Sequence, residues 1–324
     1  MFLNNKGGVG KTTIAYNTAC KFAEKGYKTV LIDLDPQCNL SRLALGENFD
    51  NNLFSNENIY KVLQKVLKGA GDVDYKVPFT PIGENLSILP GSIKLSQYHN
   101  LLISAYNLAT AGEEIGYFQT SAIQRFLNEK GLDEQIDIFI IDVSPSLDLL
   151  NRIILLGSDY FITPLNPDAF SLQGIENLGK TLEDWKTHWK RTGGILCDNV
   201  PMKDVLKGEG LFIGYIINSY NQYGKKAIKT HEEWMEKIPA SVKEYLSYRH
   251  CKNGLVESSY KKSLVDLKDV GTLATAGQEV SKPIFNLIPG KDFVDVDGTK
   301  ENLELAKEQF EELFLHIEKI FQKY

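Results

Sequence analysis

The chain has 324 residues, 43% of them hydrophobic and 24% charged, which is the composition of a soluble globular protein large enough for a sizeable core. No apolar run approaches the roughly 18 residues that span a bilayer, and four scattered cysteines favour a reduced, cytoplasmic protein over a membrane or disulfide-rich one. The net charge of −6 argues against a nucleic-acid partner only if that charge is spread evenly.

Short apolar runs bounded by turn residues mark the strands of a buried parallel sheet, because helices cover both faces of such a sheet. In chain order the runs are MFLN (1–4), TVLID (29–33), LSIL (86–89), IFIID (138–142), YFITPL (160–165), FIGYIIN (212–218) and IFNLI (284–288). Helix-patterned segments separate most of these runs. The alternation predicts an α/β fold with a doubly wound, mostly parallel sheet and helices on both faces.

We expect one domain over residues 1–324, because no linker, internal repeat or low-complexity tract divides the chain. Residues 47–85 are more polar and contain turn clusters, which favours a mostly helical insertion between core strands. A C-terminal helix is predicted around residues 301–322. Its polar face is acidic, so a helix docked on the core is favoured over one lying on a membrane surface. Five residues precede Lys6, fewer than a full first strand needs, which leaves the true translation start open.

The stretch NKGGVGKTT follows the first predicted strand and opens a helix. A glycine-rich loop in this position points backbone N–H groups at a phosphate, and the helix N-terminus adds a favourable field. Asn5 replaces the first glycine of the usual pattern GxxxxGK(S/T), while Gly10, Lys11 and Thr12 match it. We therefore expect Lys11 to reach the β- and γ-phosphates and Thr12 to hold Mg²⁺. The expected nucleotide-binding residues of the loop are Lys6, Gly7, Gly8, Val9, Gly10, Lys11, Thr12 and Thr13.

Lys6 is a second lysine in the same loop, five residues before Lys11. Two ammonium groups aimed at the same phosphates, a few Å apart, would repel each other by kcal/mol amounts. Lys6 therefore needs another target, and we expect it to point out of its own site toward the phosphates of a nucleotide held by a second subunit. The nucleotide would then join the two subunits of a homodimer.

Three motifs in this order, KGGVGKTT, VLIDLDPQCN and FIIDVSPSLDLL, resemble those of the deviant Walker A ATPases of the ParA/MinD family, particularly its ParA partition branch. The resemblance covers most of the chain. It implies an ATPase that uses ATP and Mg²⁺ and forms an ATP-sandwich homodimer, in which the lysine matching Lys6 contacts phosphate across the interface. The SPS segment of this chain departs from the family, which more often has two prolines there.

Three aspartates stand at the ends of predicted strands, where open parallel sheets bind their ligands. Asp33 and Asp35 end TVLIDLD, and a carboxylate there can orient water in line with the γ-phosphate. The resemblance gives this catalytic role to Asp35 and places Asp33 near Mg²⁺. Asp142 ends IFII in a Walker B arrangement, in which the carboxylate holds Mg²⁺ directly or through water. The structural alternatives are a turn-forming Asp-Pro pair at Asp35 and a turn cap at Asp142.

Asn218 ends the run FIGYIIN, and its amide can donate and accept hydrogen bonds on an adenine edge. A turn asparagine fits this position almost equally well. In the family that the chain resembles, a strand-end asparagine contacts the base, and on that ground we assign Asn218 to the base.

Positive charge is concentrated in one segment of this acidic chain. Residues 221–262 contain nine Lys and Arg and five Glu, which gives a local charge of +4. Lys225, Lys226 and Lys229 follow the strand that ends at Asn218, and clustered basic residues are typical of a surface that binds phosphate backbones. A solvated helix face is the ordinary alternative. The ParA resemblance implies that basic residues in this part of the chain bind DNA without sequence preference in the ATP-bound dimer.

The favoured function is an ATP-gated dimeric switch in plasmid or chromosome partition. It would bind nucleoid DNA and be released when a ParB-like partner stimulates slow ATP hydrolysis. A MinD-like ATPase targeted to a membrane or a protein is one alternative, which the acidic tail disfavours. A phosphoryl-transfer enzyme similar to capsule tyrosine kinases is another, although those carry a C-terminal tyrosine cluster and this chain has only Tyr324 there. Nitrogenase-reductase relatives need paired cluster-ligand cysteines, which the cysteine spacing does not offer.

Overall fold

The computed structural model describes residues 1–49, 57–193, 195, 200–218, 225–252, 256–268, 272–294 and 299–323, without the side chains of 225–232, 256, 257 and 299. The strands are β1 Thr29–Leu34, β2 Thr80–Gly83, β3 Leu86–Leu89, β4 Ile138–Val143, β5 Tyr160–Leu165, β6 Leu211–Asn218 and β7 Val265–Leu267. The helices are Lys11–Glu24, Asn39–Leu45, Ile59–Leu67, Leu95–Thr110, Glu114–Thr120, Ala122–Glu134, Leu149–Gly157, Ala169–Arg191, Lys225–Val242, Tyr248–His250, Val256–Lys261, Leu273–Glu279 and Thr299–Lys323. None of the described helices pairs enough length with enough apolar character to cross a bilayer.

The sheet has two halves that the N-terminal residues join. The strand order is β2-β3-β1-β4 in one half and β5-β6-β7 in the other. Phe2 bridges both Asp142 in β4 and Ile162 in β5. The Phe2 N–H donates to Ile141 O at 3.1 Å, and the Leu3 N–H donates to Ile162 O at 2.9 Å. The result is one continuous sheet, parallel except for β2 at its edge, which confirms the predicted doubly wound α/β fold.

Alternate side chains of the central strands enter two cores, one on each face of the sheet. In β1, Val30 packs into one core and Leu31 into the other. The Phe22 ring of the first helix lies 4.8 Å from the Phe314 ring, which is buried on Thr299–Lys323. The C-terminal helix therefore lies against the core on the same face as the first helix.

The predicted strand IFNLI is wrong. Ile284–Asn286 forms a single 3₁₀ turn, with Pro283 before the run and Pro289 after it, and prolines cannot donate to a strand ladder. The sheet ends instead at β7, which the apolar pattern does not reveal because Asp266 interrupts its three residues. The edge strand β2 is likewise not predicted, since it contains Pro81 and alternates between exposed and half-buried side chains.

Residues 47–85 were expected to form a mostly helical insertion. Within the described part of this region, Ile59–Leu67 is an α-helix and β2 pairs antiparallel with β3. Residues 50–56 lie outside the described residues. The region thus contributes both a helix on one face of the sheet and an edge strand.

Candidate functional site

The glycine loop connects the N-terminal strand segment to the first helix. Asn4 fixes its start, since Asn4 Nδ2 donates to Pro164 O at 2.6 Å and Asn4 Oδ1 accepts from the Lys6 N–H at 2.9 Å. Gly8 and Gly10 have φ of 74° and 80°, left-handed values that favour glycine over residues with a Cβ. The helix begins directly afterwards at Lys11. The loop therefore leads into the free N–H groups of a helix N-terminus, which is an anion-binding arrangement.

Two adjoining cavities open beside this loop. The first, of about 370 Å³, is lined by residues 7–13 together with Asp35 and Arg42. The second, of about 290 Å³, lies between the loop and the ends of β6 and β7 and is lined by Asn218. Gln278 lines both cavities. A charged cavity that adjoins a more apolar one suits a nucleotide, with its phosphates in the first and its base in the second.

Thr12 and Asp142 meet at the start of the first helix. Thr12 Oγ1 donates to Asp142 Oδ2 at 2.7 Å, and Asp142 is fully buried. The other carboxylate oxygen, Oδ1, is buried without a hydrogen-bond partner among the described residues. Burial raises the pKa of Asp142 to about 6, although the Thr12 hydrogen bond and the Lys11 charge oppose this rise. An unpartnered carboxylate oxygen beside a threonine hydroxyl is a donor set that fits Mg²⁺.

Asp35 lines the same cavity as Lys11 and is almost fully buried. Its Oδ1 accepts from the Gln37 N–H at 2.9 Å, which is the contact of a turn-forming aspartate. Burial lowers the pKa of Lys11, and the charges of Asp142 and Asp35 partly offset this effect. Asp35 therefore shapes its own turn and also acts on Lys11, so the structural and functional interpretations are compatible.

Asp33 lies beside Asp142, because β1 and β4 pair in register at these positions. Asp33 Oδ2 accepts from the Ser41 N–H at 2.8 Å and from Ser41 Oγ at 2.6 Å, while Oδ1 accepts from the Asp35 N–H at 3.2 Å. Burial raises the pKa of Asp33 to about 7, and the Asp142 charge adds to this rise. Both oxygens thus support the backbone that carries Asp35, which favours a positioning role for Asp33 over direct metal contact.

Lys6 forms an ion pair with Asp168, the N-cap residue of the helix Ala169–Arg191. Its Nζ also lies 5.8 Å from the centroid of the Phe170 ring, which is 75% exposed. Burial opposes ionisation of Asp168, but hydrogen bonds from Lys6 and Ser171 outweigh it and hold the pKa of Asp168 below its usual value. Lys6 is therefore engaged by an acid that does not line the Lys11 cavity.

Asn218 ends β6 and packs on the glycine loop. Its Nδ2 donates to Val9 O at 3.0 Å, and a Cβ on Gly10 would collide with the same amide. Asn218 Oδ1 is buried without a partner among the described residues. Asn218 thus lines the second cavity and holds the glycine loop with its side-chain nitrogen.

The three lysines expected to contact DNA lie in the helix Lys225–Val242, and their side chains lie outside the described residues. These lysines are Lys225, Lys226 and Lys229. Farther along the basic segment, Arg249 pairs with Glu183, and Lys262 Nζ lies 3.4 Å from Glu312 Oε1. Part of the segment's positive charge is therefore neutralised within the chain.

Some residues at the candidate site were not predicted from the sequence. Asp168 carries a usable signal, because an aspartate directly before a helix-patterned segment is typical of a helix N-cap, and Asp168 Oδ1 accepts from the Ser171 N–H at 2.8 Å. Ser41, Gln278 and Gln309 carry no comparable signal, since each reaches the site only through the packing of separate segments.

Residues 1–192 match the AAA domain family. Protein MJECL24 of Methanocaldococcus jannaschii, itself uncharacterised, is 31% identical over 236 residues, which are 73% of this chain and 78% of that protein. The virulence plasmid ParA family protein pGP5-D of Chlamydia psittaci is 30% identical over 182 residues, which are 55% of this chain and 60% of that protein. The matched stretch thus spans less than two thirds of the Chlamydia relative.

Solved structures share the fold. Protein DIP2308 from Corynebacterium diphtheriae is similar with a TM-score of 0.65 and 23% identity, covering 86% of this chain and 95% of that one. A Cyanothece McdA variant in complex with ATP is similar with a TM-score of 0.59 and 14% identity, covering 96% of this chain and 94% of that one. At these identities the likeness concerns the fold alone.

The parallel sheet, the glycine loop that opens a helix and the buried aspartate beside the loop threonine define the class of P-loop ATPases. The match over residues 1–192 and the ParA family relative narrow this class further. The chain belongs to the ParA/MinD family of P-loop ATPases.

Proposed function

We propose that this chain is an ATP-dependent dimeric switch of the ParA type, which binds DNA without sequence preference in its ATP state and acts in plasmid or chromosome partition. The observation that carries the proposal is the different surroundings of the two loop lysines. Lys11 lines the first cavity, whereas Lys6 pairs with Asp168 outside it. Two lysines of one loop with separate targets suit a nucleotide that two subunits contact.

ATP and Mg²⁺ are the proposed cofactors. The N–H groups of residues 7–13 and the Lys11 ammonium hold the phosphates, and Asn218 faces the base. Thr12 Oγ1 and the unpartnered oxygen of Asp142 are the proposed ligands of Mg²⁺, and Asp33 lies beside Asp142 on the neighbouring strand. Bound Mg²⁺ neutralises negative charge on the phosphate oxygens.

Asp35 is the proposed residue that orients the attacking water, with Lys6 and Lys11 stabilising phosphate charge. The Gln37 N–H fixes one oxygen of Asp35, and the Asp35 N–H is itself bonded to Asp33. This double anchoring leaves the second carboxylate oxygen in a defined place, which is the pre-organisation that water positioning requires. Hydrolysis is slow until a ParB-like partner stimulates it.

Dimerisation requires Lys6 to exchange its own Asp168 for the phosphates of the nucleotide in the partner subunit. The exchange is feasible because the Lys6 and Asp168 side chains are 29% and 37% exposed, so water can replace either partner. A phosphate group offers more negative charge than one carboxylate, which favours the exchange when ATP is bound. In the dimer, the basic segments of both subunits are available to one DNA duplex, and the protein becomes nucleoid-associated.

The test is filter binding of random duplex DNA with ATP, ADP or no nucleotide, between about 50 and 200 mM salt. We expect binding only with ATP, and a loss of ~10³-fold or more over this range if six or more phosphate contacts form. Replacing Lys225, Lys226 and Lys229 with Glu should weaken binding and flatten the salt slope. Absence of DNA binding by the ATP-bound protein at low salt would refute this part of the proposal.

The matched control replaces three exposed lysines elsewhere with Glu, which changes the net charge by the same amount. The control lysines are Lys65, Lys68 and Lys76. If the control weakens DNA binding as much as the test variant, the net charge of the protein governs binding. Lys225, Lys226 and Lys229 then form no specific DNA-binding surface.

A further inference from the structure

Ser41 is a fully buried serine of the helix Asn39–Leu45, and its hydrogen bonds connect three segments of the chain. The Ser41 N–H and hydroxyl both donate to Asp33 Oδ2, at 2.8 and 2.6 Å. The hydroxyl oxygen also accepts from the Gly91 N–H at 2.8 Å. Asp33 belongs to β1, and Gly91 follows the adjacent strand β3. One serine therefore ties this helix to the carboxyl ends of two neighbouring strands.

The direction of these hydrogen bonds follows from the donors. A hydroxyl group has one hydrogen, and because the Gly91 N–H donates to Ser41 Oγ, the Ser41 hydrogen points to Asp33. The other carboxylate oxygen, Asp33 Oδ1, accepts from the Asp35 N–H at 3.2 Å. Both oxygens of Asp33 are thus held by donors from different segments, which fixes the orientation of the carboxylate.

The Asp33 carboxylate in turn supports the backbone at Asp35. The Asp35 N–H is bonded to Asp33 Oδ1, and Asp35 Oδ1 accepts from the Gln37 N–H. Ser41 is not among the residues that line the phosphate cavity, although other residues of the helix Asn39–Leu45 are. Ser41 is therefore placed to act on the site through Asp33, without contact with a ligand in the cavity.

We propose that Ser41 is a positioning residue for ATP hydrolysis, because its hydroxyl fixes Asp33 and Asp33 fixes the turn from which Asp35 orients water. This inference rests on the proposed function, since it assumes that Asp35 acts on the attacking water. In-line attack depends on accurate placement of that water. The phosphates are held by different groups, the loop N–H groups and Lys11. The Ser41 hydroxyl should therefore contribute to the rate of hydrolysis and leave ATP affinity unchanged.

Gly91 offers a second, independent way to disturb the same carboxylate. A Cβ on Gly91 would lie 3.0 Å from Asp33 Cγ and 3.1 Å from both Asp33 Oδ2 and Cys38 Sγ. Contacts this short force the neighbouring atoms to shift. The backbone of Gly91 is not in the left-handed region, so an alanine there adds no backbone strain. Gly91→Ala should therefore displace Asp33 while the Ser41 hydroxyl remains present.

The experiment uses the full chain with Mg²⁺ and measures single-turnover hydrolysis at saturating ATP. Calorimetry with a non-hydrolysable ATP analogue measures affinity, and light scattering measures dimerisation with that analogue. Ser41→Ala removes the hydroxyl but keeps the N–H that donates to Asp33. We expect hydrolysis about tenfold slower in Ser41→Ala and in Gly91→Ala, with affinity and dimerisation within about twofold of those of the unaltered protein.

Each variant has a matched control away from the site. Ser158→Ala removes a buried hydroxyl that donates to Ile154 O at 2.7 Å, just before β5 begins. Gly83→Ala adds a Cβ that meets Leu86 Cβ at 3.7 Å, which is ordinary van der Waals contact. Both controls should hydrolyse ATP at the unaltered rate. If they slow hydrolysis as much as the test variants, the effect is general and the inference is wrong.

A double-mutant cycle tests whether Ser41 acts through Asp33. Asp33→Asn alone should slow hydrolysis, because the amide nitrogen cannot accept the bonds that the carboxylate accepts. Adding Ser41→Ala to Asp33→Asn should then slow hydrolysis by less than about twofold more, since residues of one network are not additive. If the two changes instead multiply, Ser41 acts by another route and the inference is overturned.

Two further results would overturn the inference. One is an unaltered rate in Ser41→Ala, and the other is a fall in ATP affinity as large as the fall in rate, which would indicate a general structural role. If Ser41→Ala does not fold, Gly91→Ala decides the matter, because an unaltered rate in that variant would equally exclude control by Asp33. If the unaltered protein does not hydrolyse ATP, the proposed function itself fails, and this result is distinguishable because it involves no variant.

Discussion

The phosphate side of the proposed site, lined by residues 7–13 and Asp35 with Asp142 beside Thr12, differs from its proposed base side, lined by Asn218 and Gln309. The phosphate side comes from one continuous stretch and two strand ends, all within the part of the chain that matches the AAA domain family. The base side is assembled from separate segments beyond that part. Buried charges dominate the first side and neutral amides the second.

This difference follows from what each side must recognise. Phosphate charge is common to all nucleotides, so binding it needs N–H donors and a cation at short, fixed spacing. A base is distinguished by the positions of its donors and acceptors, which only tertiary packing can match. Changes on the phosphate side should therefore affect all nucleotides alike, and changes on the base side should affect the choice among them.

The largest effect is expected from Lys11→Ala. The affinities for ATP and GTP should both fall by about 100-fold or more, because the variant removes the buried cation that we propose contacts phosphate. Titration calorimetry measures both, and Lys180→Ala, at an exposed lysine paired with Glu176, is the control. If the variant lost affinity for only one of the two nucleotides, the phosphate side would also affect base selectivity, and the proposed difference between the two sides would be wrong.

Gly10→Ala acts at the boundary of the two sides. Its φ of 80° strains any Cβ, and that Cβ would also collide with the Asn218 amide. We expect about tenfold weaker ATP binding and a free energy of unfolding lower by about 1–3 kcal/mol. Gly26→Ala is the matched control, since its φ is 93° but no atom lies within 4 Å of its Cβ position. Chemical denaturation should show a lower free energy of unfolding in both variants. Titration calorimetry should show weaker ATP binding only in Gly10→Ala.

A third prediction uses Lys186, a buried lysine that lines neither cavity. Its Nζ donates to Gly210 O at 2.6 Å and lies 3.3 Å from His250 Nδ1. Burial lowers the pKa of Lys186 to about 7, and burial with the Lys186 charge lowers that of His250 to about 3. Because the folded pKa of Lys186 is below its unfolded value, this group's stabilisation is present at high pH and lost as pH falls toward 7.

The free energy of unfolding should consequently rise with pH above about 7, by roughly 1 kcal/mol per pH unit from this group. In Lys186→Met that contribution should disappear, so the free energy of unfolding of the unaltered protein minus that of the variant should rise from pH 7 to 9. Denaturant titrations at several pH values measure it. A constant difference would mean that Lys186 keeps an ordinary pKa.

The smallest effect is expected from Asp168→Asn. Asparagine keeps the helix cap but loses the charge that holds Lys6, so about two- to fivefold less ATP should suffice for dimerisation. Asp148→Asn is the matched control, because Asp148 caps Leu149–Gly157 with a 2.9 Å bond from Asn151 N–H and pairs with no lysine among the described residues. Sedimentation velocity over a range of ATP concentrations measures the shift. An unchanged ATP requirement would show that the Lys6–Asp168 pair does not oppose dimerisation.

The sequence predicts the phosphate side far better than the base side. The order GGVGKT and the strand-end aspartates identify the loop and Asp142, since these groups depend on local spacing. The support of Asp33 by Ser41 was not predicted, because it needs the turn after β1 to fold back onto the strand. Gln309 has no local signal and reaches the site only because the C-terminal helix packs beside β7.

The same contrast holds for the fold. Six apolar runs coincide with strands of the sheet or with the bridging N-terminal residues, because burial on both faces demands continuous apolar sequence. The two strands that were not predicted lie at the edges of the sheet. β2 has only exposed and half-buried side chains, and β7 has only three residues. At such positions, packing and pairing with the neighbouring strand determine whether a segment forms a strand, more than the segment's own composition does.

The proposed function requires Lys6 to act across the interface of a dimer that forms when ATP binds. Light scattering coupled to size exclusion tests it most directly, using Asp35→Ala to slow hydrolysis and the double variant Lys6→Ala with Asp35→Ala. We expect Asp35→Ala to be a dimer with ATP and Mg²⁺, and the double variant to bind ATP but stay a monomer. A double variant that dimerises with ATP as fully as Asp35→Ala would show that Lys6 does not act across the interface.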